Sequence, residues 1–208
     1  MTKRKKIARG VVIAIIAISA IQVFIAGILI GIMFLGSVTS KPEIYEDISH
    51  YNEYMSFNGG DDSKWSKWGM DESIWPEKIN DAMEVSDFKM VYYDPWDKQY
   101  LGYLVVDYLP DAYAEEISRL QSYPSTNYIG YYSVKEETTY ELAAINADEY
   151  QGFVYALTDG TGRIIYAEQI FCNYYMDLDY RKYIPAEYLL DGFDATSGNP
   201  YEKEMRSK

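Results

Sequence analysis

From Val11 to Leu35 the chain reads VVIAIIAISAIQVFIAGILIGIMFL, 25 residues without a charge. As an α-helix rising about 1.5 Å per residue it reaches about 37 Å. That is enough to cross a hydrocarbon layer about 30 Å thick with some tilt. Secretory signal peptides carry an apolar segment of only about 7–15 residues, so the length argues for an uncleaved anchor. Ser37-Val38-Thr39-Ser40 does supply small residues of the kind found at cleavage sites. No cysteine follows the apolar run to serve lipoprotein processing.

Lys3, Arg4, Lys5, Lys6 and Arg9 precede this run, and no acid occurs before Glu43. Cytoplasmic flanks of membrane helices are enriched in Lys and Arg, so residues 1–10 are expected inside the cell and residues 41–208 outside. The expected address is the plasma membrane, with the lipid bilayer as partner of residues 11–35. Within the anchor, residues 11–36, Gly27 and Gly31 have a spacing that lets two helix backbones approach. Ser19 and Gln22 are polar near mid-membrane. Small residues abound in membrane helices and one Gln can bond within its own segment, so helix association through Gln22, Gly27 and Gly31 is the weaker of two readings.

Five of the 19 basic residues precede Lys41, which leaves 14 against all 32 acidic ones and a net of −18 for the remainder. Such a surface repels phosphate backbones, so nucleic acid is not an expected partner. Its simplest role is to keep an exported domain soluble. A single cysteine, Cys172, excludes an internal disulfide. With His50 as the only histidine, a Cys/His zinc site lacks residues, and a histidine-based hydrolase triad would have to use His50, with no nucleophile motif beside any serine. Cys172 sits in an apolar run and reads as a buried, inert thiol.

Apolar positions at Ile44, Ile48, Tyr51 and Met55 are spaced by four, three and four, which predicts a short stalk helix within residues 37–57. Residues 58–62, NGGDD, read as a loop that opens the main domain, residues 58–208. Trp65, Trp68 and Trp75 follow in a polar, irregular stretch. Read as structure, they are anchors pinning a long loop. Read as function, they form a stacking platform for a sugar ring of an envelope polymer, and they are the candidate ligand contacts.

Phe88–Asp94 and Gln99–Tyr108 are rich in Val, Tyr and Leu, and Asp94-Pro95 between them is a type I turn signature. The pair predicts a hairpin. Leu101, Tyr103 and Val105 make one face of its second strand, and Tyr100, Leu104, Val106 and Tyr108 the other. Both faces are apolar, so this strand is expected to be central and covered on both sides. Asp111 is placed to cap a helix whose stripe is Tyr113, Ile117 and Leu120, with Glu115 and Arg119 paired outside. Asn127–Val134 reads as a third strand, and residues 137–150 are open between helix and strand. Asp159-Gly160 joins two β-rich runs in the clearest hairpin of the chain. The tail from Cys172 reads as a cover with one helical turn over Pro185–Leu190 and a fraying polar end. Hairpins plus one amphipathic helix packed on them predict an α+β domain with an antiparallel sheet, preceded by a single transmembrane helix.

Motifs for catalysis, metals and cofactors are lacking, and none of the three is expected. Asp159-Gly160-Thr161-Gly162 lies between strands, without the helix start that phosphate loops need. The acid pairs Asp94/Asp97, Asp177/Asp179 and Asp191/Asp194 do not have EF-hand spacing. The expected function is a membrane-tethered, non-catalytic binding or accessory domain at the cell surface, with an envelope polymer or a membrane protein as partner. The alternatives are a cation-dependent structural or sensory ectodomain and a carboxylate-based glycan hydrolase.

Overall fold

The computed structural model describes residues 3–58, 64–135 and 140–208. The chain divides into two units, residues 1–40 and residues 41–208. The first is a single helix, α1 (Lys3–Thr39), whose stretch Ile15–Gly36 has a mean hydropathy of 2.6 and is long and apolar enough to cross a membrane. Every large apolar side chain described in that stretch is exposed, a property shared by a membrane span and a signal sequence.

The second unit is α+β. Its strands are β1 (Glu43–Tyr45), β2 (Met83–Tyr93), β3 (Gln99–Tyr108), β4 (Glu141–Asp148), β5 (Gly152–Thr158) and β6 (Arg163–Ile170), with helices α2 (Pro110–Gln121) and α3 (Pro200–Met205). All pairings are antiparallel, and the strand order is β1-β2-β3-β6-β5-β4. The two hairpins read from sequence are present. Tyr93 pairs with Gln99 across the Asp94-Pro95 turn, and Thr158 and Arg163 flank the Asp159-Gly160 turn. Asp159 holds that second turn by accepting from the N–H groups of Thr161, Gly162 and Arg163. The open segment resolves as β4, from Glu141 onward.

β3 and β6 are central, and both sheet faces are covered. Leu101, Tyr103 and Val105 join Phe153, Tyr155 and Leu157 of β5 in one cluster, which the tail closes with Met176, Ile184, Leu190, Phe193 and Tyr201. Tyr100, Leu104 and Val106 join Tyr166 and Ile170 of β6 in the other, closed by Tyr51, Tyr54, Met55, Trp65 and Trp75. Leu120 of α2 is buried in this second cluster, with Tyr113 and Ile117 beside it. Alternation along β3, β5 and β6 therefore divides the apolar residues between two cores, while β2 and β4 change faces at irregularities between Val85 and Asp87 and between Leu142 and Ala144.

Gly152 opens β5 at φ 118°, where an added Cβ would lie 2.1 Å from the Gln169 carbonyl oxygen. Gly160 also has positive φ, but nothing lies within 4 Å of its Cβ position. Gly160→Ala should lose only the backbone preference, about 1 kcal/mol, whereas Gly152→Ala adds a backbone clash and should cost on the order of 3 kcal/mol or more. Urea midpoints of the two variants check this, and equal losses would mean that the close approach at Gly152 relaxes without cost.

Four sequence expectations need correction. The helix expected within 37–57 is instead β1 followed by a 3₁₀ run, Ile48–Tyr54, capped by Asp47. Its apolar spacing serves docking, since Tyr51, Tyr54 and Met55 are buried against the sheet. The strand expected over Asn127–Val134 is a loop with a 3₁₀ turn, Tyr131–Ser133, in which Tyr132 (φ 51°) and Ser133 (φ 65°) are left-handed. This turn drives Tyr132 into the core against Phe153, Phe171 and Tyr201. Asp111 lies inside α2, Leu109 occupies the cap position, and Arg119 pairs with Glu116 rather than Glu115. The polar end does not read as a frayed tail either: Asn199 caps α3 by accepting from Glu202 N–H and donates to the Tyr174 carbonyl, and Tyr201 is buried. Of the expected 58–62 loop, residues 59–62 lie outside the described residues.

Candidate functional site

Lys64-Trp65-Ser66-Lys67-Trp68-Gly69 crosses one sheet face and sends its four long side chains to four destinations. Lys67 (φ 48°) and Trp68 (φ 56°) are both left-handed, which few non-glycine residues adopt. Such conformations cost about 1–3 kcal/mol each and persist only where the surroundings hold them. Here the Lys67 ammonium is ion-paired in the interior, and the Trp68 indole N–H donates to the Lys98 carbonyl at 2.7 Å. Tyr100 Oη adds a bond of 2.9 Å to the Lys64 carbonyl. Downstream, Arg119 of α2 donates to the carbonyls of Ser73 and Ile74, and Tyr51 Oη donates to that of Pro76.

The interior partner set is a cluster of three ionisable side chains, Lys67, Glu72 and Glu168, with 0% side-chain exposure. Alternation along β6 places Glu168 on the same face as Tyr166 and Ile170. Gly102 stands opposite it in the register, and a Cβ there would press on Met90 and on Glu168 Cγ. Lys67 Nζ lies 2.8 and 3.0 Å from the two oxygens of Glu168 and bonds Glu72 Oε1 as well. Glu72 Oε2 accepts from Ser56 N–H at 2.6 Å. The ammonium also faces the rings of Trp65 and Trp75, at 5.7 and 5.9 Å.

Two carboxylates and one ammonium cannot all remain charged at equal cost in such a place. Burial pushes Glu168 up to about 8, reinforced by the neighbouring Glu72 and opposed by Lys67. Burial also opposes the charge of Glu72, but the pull of Lys67 and the bonds from Glu168, Lys67 and Ser56 hold it below its ordinary value. Lys67 is held above its own, because the two carboxylates outweigh the burial of its ammonium. At neutral pH the cluster is therefore an ion pair plus a protonated acid. Shifted acids often mark catalytic sites. These are sealed from solvent, and through Lys67 and Ser56 N–H they tie the crossing segment to β6.

The three candidate tryptophans do not form one platform. Trp65 is 8% exposed and Trp75 1%, with their rings inside the second core. Trp75 stands 6.5 Å from the Tyr51 ring and 6.1 Å from Tyr166. The Trp75 ring, enclosed in this way, offers no free face to a sugar. Trp68 is 37% exposed, and with Ser66, Gly69 and Lys98 it lines an open depression of about 390 Å³. Gly27, Gly31 and Gln22 lie on the exposed surface of α1, with nothing within 4 Å of either glycine's Cβ position.

No protein-family model matches this chain, and neither a curated protein nor a solved structure is significantly similar to it.

Among the described residues, no three acidic, histidine or cysteine side chains group in a way that would hold a metal ion. The acid pairs are engaged separately. Asp177 accepts from Gln99 Nε2 and Asp97 from Asn173 Nδ2, Asp179 pairs with Arg181 and Lys182, and Asp194 accepts from Thr196. Cys172 is buried, which with nearby Asp97 pushes its thiol up to about 12. His50 is exposed, and its bond to Glu53 holds the imidazole above its ordinary value.

Sequence reasoning missed Lys67, Glu72 and Glu168. Glu168 does carry a local signal, since it lies between Ile165 and Ile170 in a run buried on both faces. A charge in such a strand needs a partner. Nothing local points to Lys67, 101 residues away.

Proposed function

We propose that this protein is a single-pass, membrane-tethered domain that works outside the cytoplasm by binding rather than by catalysis. The observation that carries this reading is the exposed apolar span Ile15–Gly36 directly after five basic residues. Basic flanks stay in the cytoplasm, so the sheet domain is exported, and its net of −18 suits a soluble ectodomain. α2 acts as an amphipathic cover on the sheet. The buried acids Glu168 and Glu72 have 0% side-chain exposure and are walled off from any substrate, which supports a binding role. The binding face of this reading is the depression beside Trp68 and Lys98, where one indole with an exposed face can stack on a sugar ring of an envelope polymer.

Protease added to intact spheroplasts should digest residues 41–208, and the protein should stay with membranes after alkaline washing. Release of a mature soluble form would replace the anchor by a cleaved signal. Trp68→Ala should cost only about 1 kcal/mol of stability, the loss of one hydrogen bond, and abolish retention on isolated envelope glycan. Unchanged retention would remove the glycan from the proposal.

A further inference from the structure

β1 is an edge strand whose register sets Glu43 directly opposite Tyr92 of β2. Tyr45, two residues on, shares the side of Glu43, because side chains on a strand alternate. Trp65 arrives on the same side from the crossing segment. The Tyr45 and Tyr92 rings stand 5.5 and 5.9 Å from that of Trp65, inclined to it by 71° and 59°. Rings so inclined form the walls of a cup rather than a stack.

An ammonium already sits in this cup. Lys64 Nζ is 4.4 Å from the centroid of Tyr92, 5.0 Å from that of Tyr45 and 5.8 Å from that of Trp65. It donates to Glu43 Oε2 at 2.7 Å and to Tyr45 Oη at 2.5 Å. Burial disfavours its charge, but the bonds to Glu43 and Tyr45 together outweigh this and hold the ammonium above its ordinary value. Three ring faces within about 6 Å of one cation, closed by a carboxylate, are the recognition chemistry of alkylammonium groups. The cup opens to solvent, since Lys64 is 33% exposed, so the resident ammonium is within reach of competition. The buried Lys67, also near Trp65, is held by its own carboxylates and leaves the cup to Lys64.

We propose that Tyr45, Trp65, Tyr92 and Glu43 form a binding site for an alkylammonium ligand, which Lys64 occupies as an internal competitor. The ligand displaces the Lys64 ammonium into water and takes the same ring faces and the same carboxylate. A choline-type lipid headgroup and a free quaternary amine share this chemistry. The site is distinct from the Trp68 depression and does not depend on glycan binding there.

The test uses the full chain in maltoside micelles, with tetramethylammonium chloride as probe against matched sodium chloride, read by saturation-transfer NMR. Lys64→Met should bind the probe at least tenfold more tightly than the natural protein, while Lys64→Arg, which keeps a resident cation, should not. Adding Glu43→Gln to Lys64→Met should cost at least fivefold. Lys64→Ala repeats the measurement should the Met variant fail to fold. The proposal is overturned if both neutral variants bind no better than the natural protein, if sodium chloride gives the same response, or if neither variant folds and Lys64 is thus a structural cation. Phosphatidylglycerol nanodiscs with and without phosphatidylcholine then separate the sources. Weaker probe binding to Lys64→Met in the phosphatidylcholine discs assigns the site to a headgroup, and equal binding assigns it to a soluble amine.

Discussion

Lys67→Met is expected to destabilise the sheet domain by about 3–5 kcal/mol, because it leaves two buried acids without their cation. For a domain of this size that is a fall in melting temperature on the order of 10 °C. The loss has two sources, the uncompensated carboxyl groups and the freed left-handed turn at Lys67 and Trp68. Replacing all three members by apolar residues of similar volume should recover most of it, since well-packed apolar substitutes for buried ion pairs are often neutral or better. A single variant that melts within 2 °C of the natural protein would show that the cluster is not a structural anchor.

The same cluster makes stability depend on pH with a definite sign. Glu168 is raised from 4.5 to about 8 in the fold, so between these values the folded state holds a proton that the unfolded chain has released. Stability therefore falls as pH rises across that window. Glu72, lowered in the fold, contributes stability above its unfolded value that is lost as pH falls through its folded one. Lys67, raised in the fold, contributes stability that is complete below its unfolded value and lost as pH rises through its folded one. Glu168→Gln keeps a donor in place of the acid and should flatten the decline between pH 5 and 8. Parallel melting profiles for the natural protein and Glu168→Gln would mean that Glu168 titrates normally.

Trp75→Ala should cost a comparable amount, about 3–5 kcal/mol, because the ring is enclosed between Tyr51 and Tyr166 in the second core. Tyr103→Ala should do likewise in the first core, where its ring meets Tyr188 at 5.3 Å. Trp68→Ala removes one hydrogen bond and a partly exposed ring, and should cost about 1 kcal/mol. Urea unfolding of the three variants separates core from surface. A loss at Trp68 as large as that at Trp75 would place its ring in the structural anchor and remove it as a binding face.

Short-range features were legible because their causes are local. The uncharged run gave a helix of membrane-spanning length, and the Asp-Pro and Asp-Gly turns carry their own geometry, so both hairpins follow from a few neighbouring residues. The two-faced apolar pattern of Gln99–Tyr108 announced a central strand, and β3 is one. The misread segments, 41–57 and 127–134, have apolar spacing that suits a helix or a strand. Docking onto the sheet decided otherwise, through 3₁₀ turns that place Tyr51, Tyr54 and Tyr132 in the cores. At the polar end, read as fraying, Asn199 caps a short helix and the burial of Tyr201 makes that turn part of the core. The apolar span, the charge imbalance and the antiparallel pairing of neighbouring strands follow from the order of residues along the chain. The tertiary structure alone brought Lys67 to Glu168 and set Lys64 in a cup of rings from three segments. Contacts between distant residues depend on how the whole sheet folds, and no spacing or propensity along the chain records them.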